Sequence, residues 1–133
     1  MDGCDHVEIV WDHRLRYLLP VPSKTRYAWV VRDALKGHVD LLLLSALEDE
    51  PAHGYELVQT LRERSEGAFD LAEGTVYPSL YRLERRGLIA SRWETVAGRR
   101  RRVYGLTKSG RRGLEEGRSE WNLFVRAVEA VVR

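Results

Sequence analysis

At 133 residues, 44% of them hydrophobic, the chain is about one domain long, and it can bury roughly 65 to 70% of its unfolded surface in a single core without a disulfide or metal. No apolar run approaches the roughly 20 residues of a membrane helix, and no basic stretch leads into an apolar one near the start. Cys4 is the only cysteine, so a spanning protein, a secreted one and a thiolate zinc cluster are not expected, and a reducing cytoplasm is. The total charge of +2 conceals a segregation: from Thr75 to Arg112 eleven basic residues stand against two acidic ones, Glu84 and Glu94, a net +9, and the rest of the chain has 11 basic and 18 acidic residues. Such asymmetry points to a polyanion on one face.

In chain order, His6 to Trp11 and Arg14 to Leu19 alternate loosely around Asp12-His13, which predicts a hairpin. Pro20 and Pro22 break it. Ser23 then caps a helix through Tyr27, Val30, Val31, Ala34 and Leu35. A second helix takes Val39, Leu41 to Leu44, Ala46 and Leu47, buried on most of its surface, and Pro51 closes it at or before residue 50. The next starts near His53-Gly54 and places Tyr55, Leu57, Val58 and Leu61 inward, with Glu56, Gln59, Arg62 and Glu63 outside. After a turn over residues 65–70, Val76, Leu80 and Leu83 recur at i, i+4 and i+7 in a helix from about Ala72 to Arg86, which Gly87 ends.

The period then changes. Residues 88–94 and 101–106 pair as a β-hairpin around a link, residues 95–100, that contains Gly98 and bears arginines at its tip. Thr107 caps a last helix whose apolar positions are Leu114, Trp121, Phe124, Val125, Val128, Val131 and Val132. Leu114, Trp121 and Val128 are seven apart, so one stripe runs its length and needs a partner surface.

The order helix, helix, turn, helix, hairpin, helix is that of the winged helix-turn-helix. The expected fold class is therefore mainly α with a small β-hairpin. Residues 1–30 form an extension without an assigned role, residues 31–106 the DNA-binding unit, and residues 107–133 a C-terminal dimerisation helix. With Val76, Leu80 and Leu83 inward, helical geometry turns Gly74, Pro78, Arg82 and Arg85 outward and puts Thr75, Ser79, Tyr81 and Arg86 on the flanks. The start of such a helix reaches deepest into the major groove, which makes Thr75, Tyr77 and Ser79 base-reading candidates and Arg82 a fork for a guanine or a phosphate. Arg99, Arg100, Arg101 and Arg102 repel one another unless phosphate neutralises them, so the hairpin tip is expected on the DNA backbone. Against this, an outward charged helix face is also what plain solvation produces, and Tyr77, Tyr81 and Trp93 also suit packing roles.

Three blocks, His53-Gly-Tyr-Glu-Leu57, Gly74-Thr-Val-Tyr-Pro-Ser-Leu-Tyr-Arg-Leu-Glu-Arg-Arg-Gly-Leu-Ile89 and Gly98-Arg-Arg-Arg-Arg-Val-Tyr-Gly-Leu-Thr-Lys-Ser-Gly110, resemble in order and spacing the signature blocks of the PadR family of bacterial transcriptional regulators. The resemblance covers about Val31 to Arg133. It implies a homodimeric repressor on an inverted-repeat operator in double-stranded DNA, with a releasing effector in some members. The single terminal helix is similar to the smaller branch, some of whose members bind planar drugs between two tryptophans at the dimer centre, and this makes Trp121 the candidate for a small aromatic effector. Leu114, Trp121, Phe124, Val125, Val128 and Val132 are expected to close the two-fold dimer against the same stripe of the partner and the partner's Leu41 to Leu47 region, so that a cut after Thr107 yields monomers. Met1 to about Val30 lies outside the family pattern, as an added helix or as upstream sequence that the native start codon excludes. Arg100 and Val103 stand where proline and an aromatic are common in the wing.

The enzyme reading has only Cys4, His6 and His13 in the leader; His38 and His53 read as helix-end residues. No catalytic residue, metal ligand or cofactor is therefore expected. The second reading is a winged-helix module that binds protein, and it requires apolar groups where Arg82, Arg85 and Arg99 to Arg102 stand.

Overall fold

Gly37, left-handed at φ 87°, and Pro51 bracket the first helix among the described residues, α1 (Val39–Ala46). The computed structural model describes Ile9–Asp12, Tyr17–Pro20 and residues 37–133. The two early segments are antiparallel strands, β1 (Ile9–Asp12) and β2 (Tyr17–Pro20), with Ile9 opposite Pro20 and Asp12 opposite Tyr17, so the leader hairpin forms as predicted. The helix expected from Ser23 through Leu35, and the set Cys4, His6 and His13, lie outside the described residues.

After α1 come β3 (Ala52–His53), α2 (Gly54–Arg64), α3 (Glu73–Arg85), β4 (Ile89–Val96), β5 (Arg99–Leu106) and α4 (Lys108–Val132). This is the winged helix-turn-helix order, mainly helical, with a small three-stranded antiparallel sheet besides the β1–β2 hairpin. Two residues are too few to alternate visibly, and β3 was not expected. It pairs with β5, Ala52 opposite Tyr104 and His53 opposite Val103, giving the sheet order β3-β5-β4. The wing link is shorter than residues 95–100. Its strands continue to Val96 and resume at Arg99, leaving Ala97 at φ 51° and Gly98 at φ 78° as a two-residue turn. Positive φ at both central positions matches the twist of the flanking strands, so the ladder runs almost to the tip.

The core gathers Leu43, Leu44 and Leu47 from the α1 region, Leu57 and Leu61 from α2, Val76, Leu80 and Leu83 from α3, Ile89 and Tyr104 from the sheet, and Leu114 from α4. Two expectations change here. Leu114, counted with the dimer stripe, is buried inside its own chain, and Leu43, Leu44 and Leu47 are likewise consumed by that core and cannot offer a face to a partner. The physical reason is that α4 packs first on its own α1. Gly117 leaves room for Leu41, whose Cδ1 lies 2.8 Å from where a Cβ would stand, and Arg118 donates to both Glu48 oxygens at 2.9 and 2.6 Å. That hydrogen-bonded guanidinium holds the exposed Glu48 carboxyl below its ordinary range.

Helix α4 is anchored at its start as well. The Thr107 hydroxyl accepts from the Gly110 N–H at 3.0 Å and donates to the Gly87 carbonyl at 2.6 Å, while the Thr107 N–H donates to the Leu88 carbonyl at 3.2 Å. Beyond Arg118 the apolar residues Trp121, Leu123, Phe124, Val128, Val131 and Val132 are exposed, and Val125 is half-buried. No helix among the described residues is long and apolar enough to cross a membrane.

Candidate nucleic-acid interface

The outer side of α3 follows from which residues its core face consumes. Val76, Leu80 and Leu83 are buried, and Thr75, Tyr77, Pro78, Tyr81, Arg82 and Arg85 are exposed. Pro78 costs one backbone bond near the helix start, on the exposed side. Ser79 departs from expectation. It was placed on the flank of the outward face, yet only 2% of it is exposed, because its hydroxyl satisfies itself within the helix by donating to the Thr75 carbonyl at 3.2 Å and accepting from Arg82 Nη2 at 3.0 Å. It orients Arg82 instead of facing a groove.

Tyr77 does two things. Its ring crosses the start of α2 so closely that a Cβ on residue 54 would lie 2.6 Å from it, which is why a glycine stands there. The remaining edge of the ring is open. Residue 53 sets the start of α2: His53 Nδ1 accepts from the Glu56 N–H at 3.2 Å, and Glu56 Oε1 accepts from the His53 N–H at 3.1 Å. This is a capping box with histidine in the usual serine position, and it makes His53 the helix-end residue the sequence suggested. Arg85 lies 5.8 Å over the Tyr81 ring. Arg82 and Arg86 approach the two carboxylate oxygens of Asp40, on α1, at 3.7 Å each.

The four wing arginines do not crowd one another as their adjacency suggests, since alternate strand residues face opposite ways. Arg100 and Arg102 share a face, where they lie 5.1 and 5.9 Å from the exposed Trp93 ring. Arg102 is further fixed, donating from Nε to Ser91 Oγ at 2.8 Å and from Nη2 to Glu84 Oε1 at 3.3 Å. Ser91 in turn donates to Glu84 Oε2 at 2.6 Å. These three residues clasp the wing to α3. Arg99 is exposed at the tip and makes no ion pair among the described residues. Arg101 turns the other way: it is half-buried, its Nη1 is 3.4 Å from His53 Nε2, and its Nε is buried without a partner.

The structure thus brings Thr75, Arg82 and Arg85 onto the exposed side of α3, leaves Tyr77 at its margin over the start of α2, and ties that helix to the hairpin carrying Arg99 and Arg100. It sets Ser79 and Arg101 aside. Sequence reasoning missed Asp40, Glu84 and Ser91, whose roles depend on contacts between elements and leave no periodic trace. On α4, Trp121 meets His38, at the start of α1, edge-on, ring centroids 5.1 Å apart, and Phe124 at 5.9 Å.

Compared with known proteins, residues 43–116 match the family described as "Transcriptional regulator PadR-like family". The chain is 38% identical over 103 residues to a Mycobacterium tuberculosis protein named Transcriptional regulator Rv3488, covering 77% of this chain and 87% of that one. Among solved structures, a PadR family transcription regulator from Clostridium difficile R20291 is 36% identical, with a TM-score of 0.66 over 73% of this chain and 100% of its own. A transcriptional regulator from Clostridium thermocellum is similar at 29% identity and a TM-score of 0.71, over 76% of this chain and 99% of its own.

Proposed function

The chain belongs to the PadR-like family of DNA-binding transcriptional regulators, and we propose that it acts as a homodimeric repressor on an inverted-repeat operator. In this reading α3 enters the major groove of each half-site with Thr75, Tyr77, Arg82 and Arg85 toward the bases, and the β4–β5 wing lies on flanking phosphates. The observation that carries it is the clasp of Glu84, Ser91 and Arg102, which joins the exposed face of α3 and the arginine-bearing wing into one rigid cationic surface. The division of labour is a DNA-binding unit over residues 31–106 and a dimer helix over residues 107–133, whose first turns also complete the core. A protein-binding module would instead show apolar groups where these arginines are exposed.

Sequencing DNA fragments selected by the purified protein tests the operator directly: an inverted repeat is expected, and unpatterned fragments would count against it. The wing has its own test. Arg99→Ala with Arg100→Ala, chosen because Arg101 turns back on His53, is expected to weaken binding to all sequences about equally and to lower the salt slope by roughly 1 to 2 per half-site. An unchanged slope removes the wing from the interface. Arg82→Ala is expected instead to erode the preference for operator over random DNA.

Release by a small planar ligand at Trp121 completes the proposal. Trp121 is partly exposed, and a two-fold axis near the middle of the terminal stripe would bring two indoles together, with Ser119, Glu120 and Asn122 as polar edges favouring cationic planar compounds. Titration with a cationic dye is expected to quench Trp121 fluorescence beyond that of a Trp121→Phe variant, which retains Trp11, Trp29 and Trp93. Equal quenching in a variant that still dimerises would make Trp121 a packing residue only.

A further inference from the structure

Two arginines toward the end of α3, Arg82 and the C-cap residue Arg86, share one carboxylate. Asp40, in the first turn of α1, is set between Arg82 Nη2 and Arg86 Nη1, with N···O distances of 3.7 Å to each of its oxygens. At that length neither contact is a hydrogen bond. They are Coulombic contacts across the cleft between α1 and α3, a cleft also lined by Gly74, Thr75 and Ser79. All three side chains remain accessible: 58% of Arg82, 63% of Arg86 and 32% of Asp40. One carboxylate thus offsets half the charge of two arginines on the face that meets DNA.

We infer that Asp40 is a specificity-determining residue, which reduces the pull of Arg82 and Arg86 on phosphate while leaving Arg82 able to read a base. The inference rests on the proposal that the outer face of α3 meets DNA. Its physical basis is that phosphate and base edges respond to different properties of a guanidinium. Attraction to phosphate follows net local charge and is the same for every sequence. Recognition of guanine needs aligned N–H donors facing neutral acceptors. Asp40 lowers the first without a bond that would tie up the second: at 3.7 Å it leaves Nη2 of Arg82 hydrogen-bonded only to Ser79, through one of its two N–H groups, so the other Nη2 N–H stays available to form a fork with Nε or Nη1, which have no acceptor among the described residues. The contacts are long enough for a correctly placed base to take Arg82 over, whereas a phosphate anywhere along random DNA must also approach the carboxylate.

The test is a mutant cycle over the parent, Asp40→Asn, Arg82→Ala with Arg86→Ala, and the triple variant. Each is titrated across a salt series against two duplexes of about 30 base pairs, enough for two half-sites: one of random sequence and one most enriched by selection with the parent protein. Asp40→Asn is expected to bind random duplex roughly threefold to tenfold more tightly, as loss of one charge a few ångströms from phosphate implies, with a salt slope steeper by roughly one unit per half-site. The enriched duplex should gain no more than about twofold, so the preference falls. Without the two arginines the gain from Asp40→Asn should largely vanish, and Asp40→Glu should keep the parental preference. A purely structural role would leave the salt slope where it was. An unchanged random-duplex affinity, or a gain that persists in full without the arginines, overturns the inference while leaving the reading of α3 intact. If removing Arg82 and Arg86 alters neither affinity nor slope, that reading fails and the inference falls with it.

Discussion

A chain stopped after Glu120 is expected to fold, to sediment as a monomer, and to lose about two to four orders of magnitude in operator affinity, the range gained by joining two binding modules. Nearly everything that α4 contributes to its own domain lies before that point: the Thr107 cap, Gly110 against Leu88, buried Leu114, Gly117 beneath Leu41, and the Arg118–Glu48 pair, with the edge-on contact of Trp121 on His38 the one described packing lost. Everything removed is exposed or half-buried, including Trp121, Phe124, Val125, Val128 and Val132. A cut after Thr107, the choice suggested by the sequence, would also delete Leu114 and open the core, so its product would unfold and report nothing on assembly. Sedimentation together with a thermal melt separates the cases. A dimer that persists without residues 121–133 would refute the proposed interface.

Gly110→Ala is expected to destabilise the protein by about 3 kcal/mol or more, against the usual sign for a helix. In an open helix the change to alanine would gain roughly 1 kcal/mol in propensity. Here a Cβ would be driven into the backbone carbonyl of Leu88, which cannot rotate aside because it also accepts the Thr107 N–H. Overpacking against backbone of this kind typically costs 1–3 kcal/mol and sometimes more. Gly113 is the control. It lies one turn further along the same helix, its Cβ would meet Leu88 Cδ2 at an ordinary 3.5 Å, and Gly113→Ala is expected to stabilise by up to about 1 kcal/mol. Urea unfolding of the two variants decides the matter; Gly110→Ala at parental stability would mean that the α3–β4 turn yields more readily than its hydrogen bonds imply.

Much of the fold was legible because repeating local patterns carry it. Val76, Leu80 and Leu83 announced the buried side of α3, Thr107 the start of α4, and Gly98 the turn of the wing. What was not legible depended on pairing between distant elements. Periodicity assigns Leu114 and Trp121 to one stripe, but it cannot say that the first is consumed by α1 of the same chain while the second stays exposed. Ser79 looked like a polar flank because a serine that satisfies its hydroxyl within its own helix is indistinguishable in sequence from one that faces water. The fate of Arg99 to Arg102 required the register of β5 against β4, since only that decides which pair meets Trp93 and which turns toward His53. Asp40 is 42 positions from Arg82 with nothing between them to mark the contact.

The clasp between Glu84, Ser91 and Arg102 also bears on how the recognised DNA sites can drift over evolutionary time. In the proposed docking, exchanges at Thr75 or Arg82 would retune individual base preferences one at a time, because neither side chain takes part in the clasp. The distance between α3 and the β4–β5 hairpin is set by bonds internal to the protein. Site repertoires descended from this regulator would therefore vary in letters while holding constant the offset from the core of each half-site to its flank.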